Sequence, residues 1–112
     1  MEKTVDIVEL DELLLDLGFS ESVRGTEYVR EAVKMYAAGH RSLSREIYPA
    51  IGMACGTNAA NVERCVRFAI GRAWSRGGVD AQERLFGFTV DPDRGCPTTS
   101  EFVARLARVC SR

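Results

Sequence analysis

The sequence CGTNAANVERCVRFAIGRAWSRG, residues Cys55 to Gly77, carries the strongest structural signal in this chain. After a glycine turn, apolar residues recur every three or four positions, the spacing that places side chains on one stripe of an α-helix. The stripe consists of Val62, Cys65, Val66, Ala69, Ile70, Ala73 and Trp74. At about 100° per residue, the other side of the helix carries Ala60, Glu63, Arg64, Arg67 and Gly71, flanked by Asn61, Arg72 and Ser75. We therefore predict a long helix with one side in the core and a cationic side free to contact a partner.

A short helix is predicted immediately before this long one. Pro49 suits the first turn of a helix, because the N–H that it lacks would be unpaired there. Gly52 is small enough to let two helices cross closely, and Gly56 allows the chain to reverse. The pattern indicates a helix-turn-helix in which Pro49 to Cys55 supports a recognition helix from Asn58 to Arg76.

Glycine and proline divide the rest of the chain into further helical segments, and no strand-like alternation is sustained. The other predicted segments are Val5 to Leu17, Gly25 to Gly39, a third from Ser42 that Pro49 interrupts, Asp80 to Gly87, and a last helix from Thr98 to about Val109. The sequence predicts an all-α fold, a compact bundle of about six helices that contains the helix-turn-helix.

Capping residues mark two of these helix starts. Thr98 and Glu101 form a T-x-x-E capping box, and Asp80 with Glu83 is an acidic variant of it. Val79, Leu85, Phe86 and Phe88 are predicted to supply core, and residues 90–97 to form a loop.

Length and composition limit the class of protein. The chain has 112 residues, of which 46% are hydrophobic, which suits a single domain over residues 1–112. It has no apolar run near the ~20 residues that a membrane span needs, and its acidic N-terminus does not resemble a secretory signal. We expect a cytoplasmic protein without a membrane segment.

Catalytic and metal-binding patterns are absent from the sequence. The four cysteines show no two-to-four-residue spacing and there is a single histidine, so no zinc signature can be written. Buried thiols are the favoured interpretation of the cysteines. Without a phosphate loop or a nucleophile elbow, we predict that the chain is not an enzyme and needs no cofactor.

Positive charge is concentrated on the predicted recognition helix. The net charge of the chain is −1, which argues against nonspecific binding of nucleic acid. Between Asn58 and Arg76, however, four arginines oppose only Glu63. Periodicity alone favours a solvated helix face, the commonest setting of surface arginines.

Several sequence blocks change that balance. From about Ile7 to Val109, the chain resembles the C-terminal effector domain of the master response regulator of endospore formation. The blocks that carry the resemblance are VERCVRFAIGRAWSRG (62–77), LFGFTV (85–90), PTTSEF (97–102), YVREAV (28–33) and IYPAI (47–51).

The resemblance implies a six-helix transcription regulator that inserts its recognition helix into the major groove of double-stranded DNA. It makes Glu63, Arg64 and Arg67 the leading base readers. Arginine can donate two parallel hydrogen bonds to guanine, and glutamate can accept one from cytosine. The full predicted DNA-binding set is Asn58, Asn61, Glu63, Arg64, Arg67 and Arg72. The resemblance also implies tandem homodimers on DNA, and contact with the RNA polymerase sigma subunit near residues 78–86.

The chain departs from the family pattern at five positions. Ala60-Asn61 replaces a serine-arginine pair, Phe68 a histidine, Gly71 an acidic residue, and Cys96 lies in a loop that often carries lysine. Phosphate affinity is therefore expected to drop, although Asn61 can still read adenine or bind a phosphate.

Further alternatives stay open. No receiver domain is present, so the chain is either a part of a longer regulator or a free-standing effector. The alternative function is a protein-interaction adaptor of the same fold, with weakened or lost DNA binding, that acts on a regulator or a polymerase subunit. A small-molecule sensor is a remoter alternative, because no convergent polar residues mark a pocket.

Overall fold

The computed structural model describes residues 5–87 and 96–111. These residues form six α-helices and a π-helical turn. The elements are α1 (Ile7–Asp16), α2 (Arg24–Ala37), the π-helical turn (Leu43–Ile47), α3 (Tyr48–Ala54), α4 (Ala59–Arg76), α5 (Val79–Phe86) and α6 (Thr99–Cys110). The predicted all-α bundle of about six helices is thereby confirmed.

The first helix is shorter than its apolar pattern predicts. The Asp6 side chain accepts a hydrogen bond from the Glu9 N–H at 3.1 Å and so fixes the start of α1 one residue after itself. Val5 instead pairs with Ser111 in an isolated antiparallel bridge. Gly18, at φ +106°, ends the helix in the left-handed conformation that glycine tolerates.

Proline divides the third segment into two pieces, as predicted, but the break is a π-helical turn. The N–H of Ile47 donates to the Ser42 carbonyl at 3.1 Å, a bond five residues back. α3 then starts at Tyr48, with Pro49 in its first turn, where the missing N–H costs no hydrogen bond. Ser42 caps the turn by accepting from the Arg45 N–H at 3.1 Å.

The helix-turn-helix consists of α3 and α4. A Cβ added to Gly52 would lie 2.9 Å from the Asn58 carbonyl carbon, so only glycine permits this close crossing. Gly56 makes the turn at φ +73°. Asn58 is the N-cap of α4, and its side chain accepts from the Asn61 N–H at 2.9 Å.

α4 is held from behind by α2. A Cβ on Gly25 would lie 2.2 Å from the Cys65 carbonyl oxygen and 2.7 Å from the Ala69 Cβ, so the two helices touch backbone to backbone there. This contact fixes the rotation of α4 about its axis. One side of α4 therefore faces α2 and the core, and the opposite side faces outward.

Aromatic rings connect the last helices to this core. The Phe86 and Phe102 rings stack with centroids 5.4 Å apart, Phe19 lies 5.4 Å from Phe102, and Trp74 meets Phe86 edge-on at 5.5 Å. Trp74 is half-buried, and it packs on the core as the apolar stripe indicates.

Four expectations need correction or fall outside the described residues. The Asp80–Glu83 capping box is wrong, because Gly78 is the N-cap of α5 and no side chain caps it. Val79 is 71% exposed rather than core, whereas Leu85 and Phe86 are buried. Of the four thiols, only that of Cys110 is fully buried. Phe88 and most of the predicted loop lie outside the described residues.

Candidate nucleic-acid interface

α4 separates its buried and exposed sides as the sequence predicts. Val62, Val66, Ala69, Ile70 and Ala73 are buried, and Cys65 and Trp74 are half-buried. With 18 residues, the helix is about 27 Å long at 1.5 Å per residue. It is long enough to follow a major groove across several base pairs.

The predicted arginines lie on the outward side. Arg64, Arg67 and Arg72 are exposed, and the Arg67 side chain retains 72% of its accessible surface. Arg64 and Arg67 are one turn apart. None of the three packs against the protein core, so their guanidinium groups are available to a ligand.

A chain of hydrogen bonds orders the start of this surface. Asn61 Nδ2 donates to Thr57 Oγ1 at 2.9 Å, and Asn61 Oδ1 accepts from Arg64 Nη2 at 2.7 Å. Both ends of the Asn61 amide are thus occupied within the protein. In this conformation Asn61 positions Arg64, and the second hydrogen of its Nδ2 remains a donor for a base or a phosphate. Asn58 is exposed, and its side-chain oxygen caps α4 by accepting a hydrogen bond from the Asn61 N–H.

Glu63 and Arg67 form an ion pair along the helix. Arg67 Nη2 lies 3.4 Å from Glu63 Oε1, four residues earlier, and the side chains are 72% and 45% exposed. Such exposed pairs contribute only ~0.2–1 kcal/mol. A ligand can therefore separate the two side chains at little cost.

A polar groove lies beside this part of α4. Glu63 and Arg67 form one wall, and Tyr48 lies at the groove. The remaining lining residues are Arg41, Ser42, Leu43, Ser44, Thr98, Thr99 and Ser100. The sequence predicts helix caps at Ser42 and Thr98, and both hydroxyls do cap. It gives no sign that the two caps line the same groove, because they are distant along the chain.

The family model described as "Sporulation initiation factor Spo0A C terminal" matches residues 10–109. The chain belongs to this family. The Spo0A C-terminal family is a family of DNA-binding effector domains of sporulation regulators, and it is not an enzyme family. The resemblance seen in the sequence blocks is thus confirmed.

Phe68 and Gly71, which the sequence resemblance marks as departures, both lie on the outward side of α4. Phe68 is 59% exposed, a large apolar side chain directed toward solvent. Gly71 is exposed, and a Cβ added to it would meet nothing within 4 Å. Packing within the described residues therefore does not require glycine at this position.

Neither a metal-binding cluster nor a membrane-spanning helix is found in the described part of this Spo0A C-terminal domain. Within residues 5–87 and 96–111, no three histidine, cysteine, aspartate or glutamate residues are grouped so that they could hold a metal ion. Among the helices described, none combines the length and the apolar character that crossing a membrane demands.

Proposed function

We propose that this chain is a sequence-specific transcription regulator that inserts α4 into the major groove of double-stranded DNA. One observation carries the proposal: Arg64 and Arg67 are exposed on the side of α4 that faces away from the core. The major groove of B-DNA is about 12 Å wide and admits an α-helix. Membership of a family of DNA-binding domains supports the same function.

Each outward side chain has a separate role in this proposal. Arg64 keeps several N–H donors free after the bond to Asn61, so it is suited to bidentate contact with guanine O6 and N7. Glu63 accepts from cytosine N4, and Arg67 reads a neighbouring base or its phosphate once the pair opens. Arg72, about two turns beyond Arg64, contacts the backbone, and contacts of this kind position the protein without reading sequence.

Selection of bound duplexes from a random pool, at an ionic strength of about 0.15 M, tests the proposal. A specific regulator enriches a defined motif, and tandem binding enriches two copies at a fixed spacing. Affinity for the enriched duplex then falls with added salt, by a slope of about 0.9 per neutralised phosphate. A pool that stays random after repeated rounds contradicts sequence-specific binding.

The second candidate is a protein-interaction adaptor of the same fold. Exposed Phe68 favours it, because aromatic side chains are enriched at protein–protein interfaces. The Glu63–Arg67 pair also offsets part of the cationic charge. Salt separates the candidates, since an adaptor has no duplex affinity for salt to weaken.

Two partners that the resemblance implies also belong to this proposal. A sigma subunit would bind near α5, where Val79 is 71% exposed at the start of the helix. Val79→Asp should then weaken binding to purified sigma subunit while leaving duplex affinity unchanged. A tandem homodimer would appear in sedimentation as a two-to-one complex on a duplex with two boxes and a one-to-one complex on a single box.

A further inference from the structure

Tyr48 has a buried hydroxyl group without a hydrogen-bond partner. The residue is only 4% exposed, and its hydroxyl oxygen makes no hydrogen bond within the described part of the chain. Buried polar groups are nearly always paired, because an unpaired one loses its hydration without compensation. Among the described residues, the hydroxyl groups of Tyr28 and Tyr48 share this state, and Tyr48 lines the polar groove beside α4, where a ligand can approach.

Tyr48 lines the polar groove, and its phenol is close enough to the Glu63 and Arg67 side chains of α4 to be influenced by their charges. Burial raises the pKa of Tyr48 to about 12, the nearby Glu63 carboxylate raises it too, and the Arg67 guanidinium opposes this. Both groups belong to the groove wall. With so high a pKa, the phenol stays neutral at physiological pH and offers an O–H donor.

The N-terminus of α6 also lines the groove. The helix has 12 residues, and Thr99 and Ser100 belong to its first turn, where backbone N–H groups have no intrahelical acceptor. The Thr98 hydroxyl bonds within the capping box, to the Glu101 backbone N–H at 3.2 Å and to its carboxylate at 2.7 Å. The positive end of the helix dipole favours a negative ligand there.

Two arginines add positive charge to the groove. Arg41 is held in place, because its Nη1 donates to the Tyr36 carbonyl and its guanidinium lies 4.4 Å from the centroid of the Tyr36 ring. Arg67 lies on the α4 side. The Glu63 and Glu101 carboxylates oppose an anion. Glu101 is bound within the capping box. In the free protein Glu63 is bound to Arg67 at 3.4 Å, and this pair opens when Glu63 turns to a base.

We propose that this groove binds one phosphate group, and that the phosphate belongs to the DNA strand bordering the major groove that α4 occupies. The inference rests on the proposed function and names a second contact of the same interface. A phosphate offers only acceptor oxygens, which match the Tyr48 O–H, the two α6 amides and the arginines. Because the strands run on either side of a helix inserted in the groove, a wall formed by α4 is where a backbone phosphate comes close.

Tyr48→Phe tests the contact with the smallest change. It deletes one oxygen and keeps the ring, and we expect unchanged or increased thermal stability because an unpaired buried hydroxyl is removed. Affinity for the enriched duplex should nevertheless fall roughly tenfold, the effect of one charge-assisted hydrogen bond. The salt slope should not change, because no charge is lost. The variant should thus be at least as stable as the wild type but bind DNA more weakly. If the hydroxyl had only a structural role, its removal would not weaken binding without lowering stability.

Duplexes with a single neutral methylphosphonate identify the phosphate. At one backbone position, the neutral group should weaken wild-type binding roughly tenfold and weaken Tyr48→Phe binding much less, because the contact is already lost. Tyr28→Phe is the matched control, since Tyr28 is a buried tyrosine of α2 that does not line the groove. Full duplex affinity in Tyr48→Phe, or losses that add at every backbone position, would overturn the assignment.

Inorganic phosphate alone separates the backbone from a free ligand as the source. In amide NMR spectra, millimolar phosphate should shift Thr99 and Ser100 in the wild type and not in Tyr48→Phe, and the duplex should compete with it. Shifts that the duplex does not displace would overturn the assignment to the DNA backbone. If the wild type binds no duplex, the proposed function fails. If Tyr48→Phe binds the duplex as tightly as the wild type does, the proposed function stands and only the groove contact is refuted.

Discussion

Arg64 is tied to Asn61 on the exposed side of α4 by a hydrogen bond of 2.7 Å from Nη2 to Oδ1. Asn61 is tied in turn to Thr57 in the turn before the helix, at 2.9 Å. The resemblance implies an arginine where this chain has Asn61. By that resemblance, an amide bound to Arg64 stands where a second cation is expected. Fixing a side chain before binding reduces the entropy that binding costs.

Asn61→Ala should loosen Arg64 without removing it. We expect lower affinity for the preferred duplex and a smaller penalty for changing the base pair that Arg64 reads, because a mobile guanidinium holds bidentate geometry less well. Titration of the preferred duplex and its single-base-pair variants measures both effects. Val8→Ala, a change at an exposed side chain of α1 outside the Thr57–Asn61–Arg64 network, is the control. Equal discrimination in Asn61→Ala and wild type would show that the network has no role in reading.

Arg64→Ala and Arg72→Ala should have different effects on DNA binding. Loss of Arg64 is expected to remove ~1–3 kcal/mol of discrimination at one base pair. Loss of Arg72 should weaken all duplexes evenly and reduce the salt slope by about 1. Binding isotherms at several salt concentrations, on the preferred duplex and on a scrambled one, give both quantities. If both variants bind the preferred duplex as the wild type does, the outward side of α4 is not the DNA-binding surface.

Acid should weaken the turn before α3 through Glu46. A hydrogen bond to His40 at 3.1 Å, supported by the Ser42 N–H at 3.3 Å, holds the pKa of Glu46 below its usual 4.5. A carboxyl group with a lowered folded-state pKa stabilises the fold above its unfolded-state pKa, and this contribution disappears as the pH falls through the folded-state value. Thermal unfolding midpoints between pH 7 and pH 3 should therefore fall less in Glu46→Gln than in the wild type. Parallel decreases in the two proteins would contradict this role.

Local sequence patterns predict the helices because helix formation depends on the spacing of apolar residues and on capping residues a few positions apart. The stripe from Val62 to Trp74 predicts which side of α4 is buried, and the capping box at Thr98 predicts where α6 starts. Sequence patterns do not predict burial where it depends on contacts between residues that are distant in the chain. Val79 is apolar but lies outside the core, because α5 turns its Ala81 and Leu85 side inward instead.

The candidate site likewise has a part that the sequence predicts and a part that it does not. The exposure of Arg64 and Arg67 follows from helical periodicity and is predicted by the sequence. The groove beside them is not, because it depends on the approach of the α6 start to Tyr48, about 50 residues earlier in the chain. The Asn61–Arg64 bond also escapes prediction, since the spacing of the two residues permits it but does not require it.

Gly71→Ala tests what the outward side of α4 contacts. Alanine should stabilise the exposed helix by up to ~1 kcal/mol, since an added Cβ meets nothing within 4 Å. Urea unfolding measures this gain, and Gly52→Ala is the opposite control, because its Cβ would lie 2.9 Å from the Asn58 backbone and must destabilise the helix-turn-helix. If Gly71 is retained for close approach of DNA, Gly71→Ala should bind the preferred duplex more weakly although it is the more stable protein. Unchanged binding would place the DNA nearer the Asn58 end of α4.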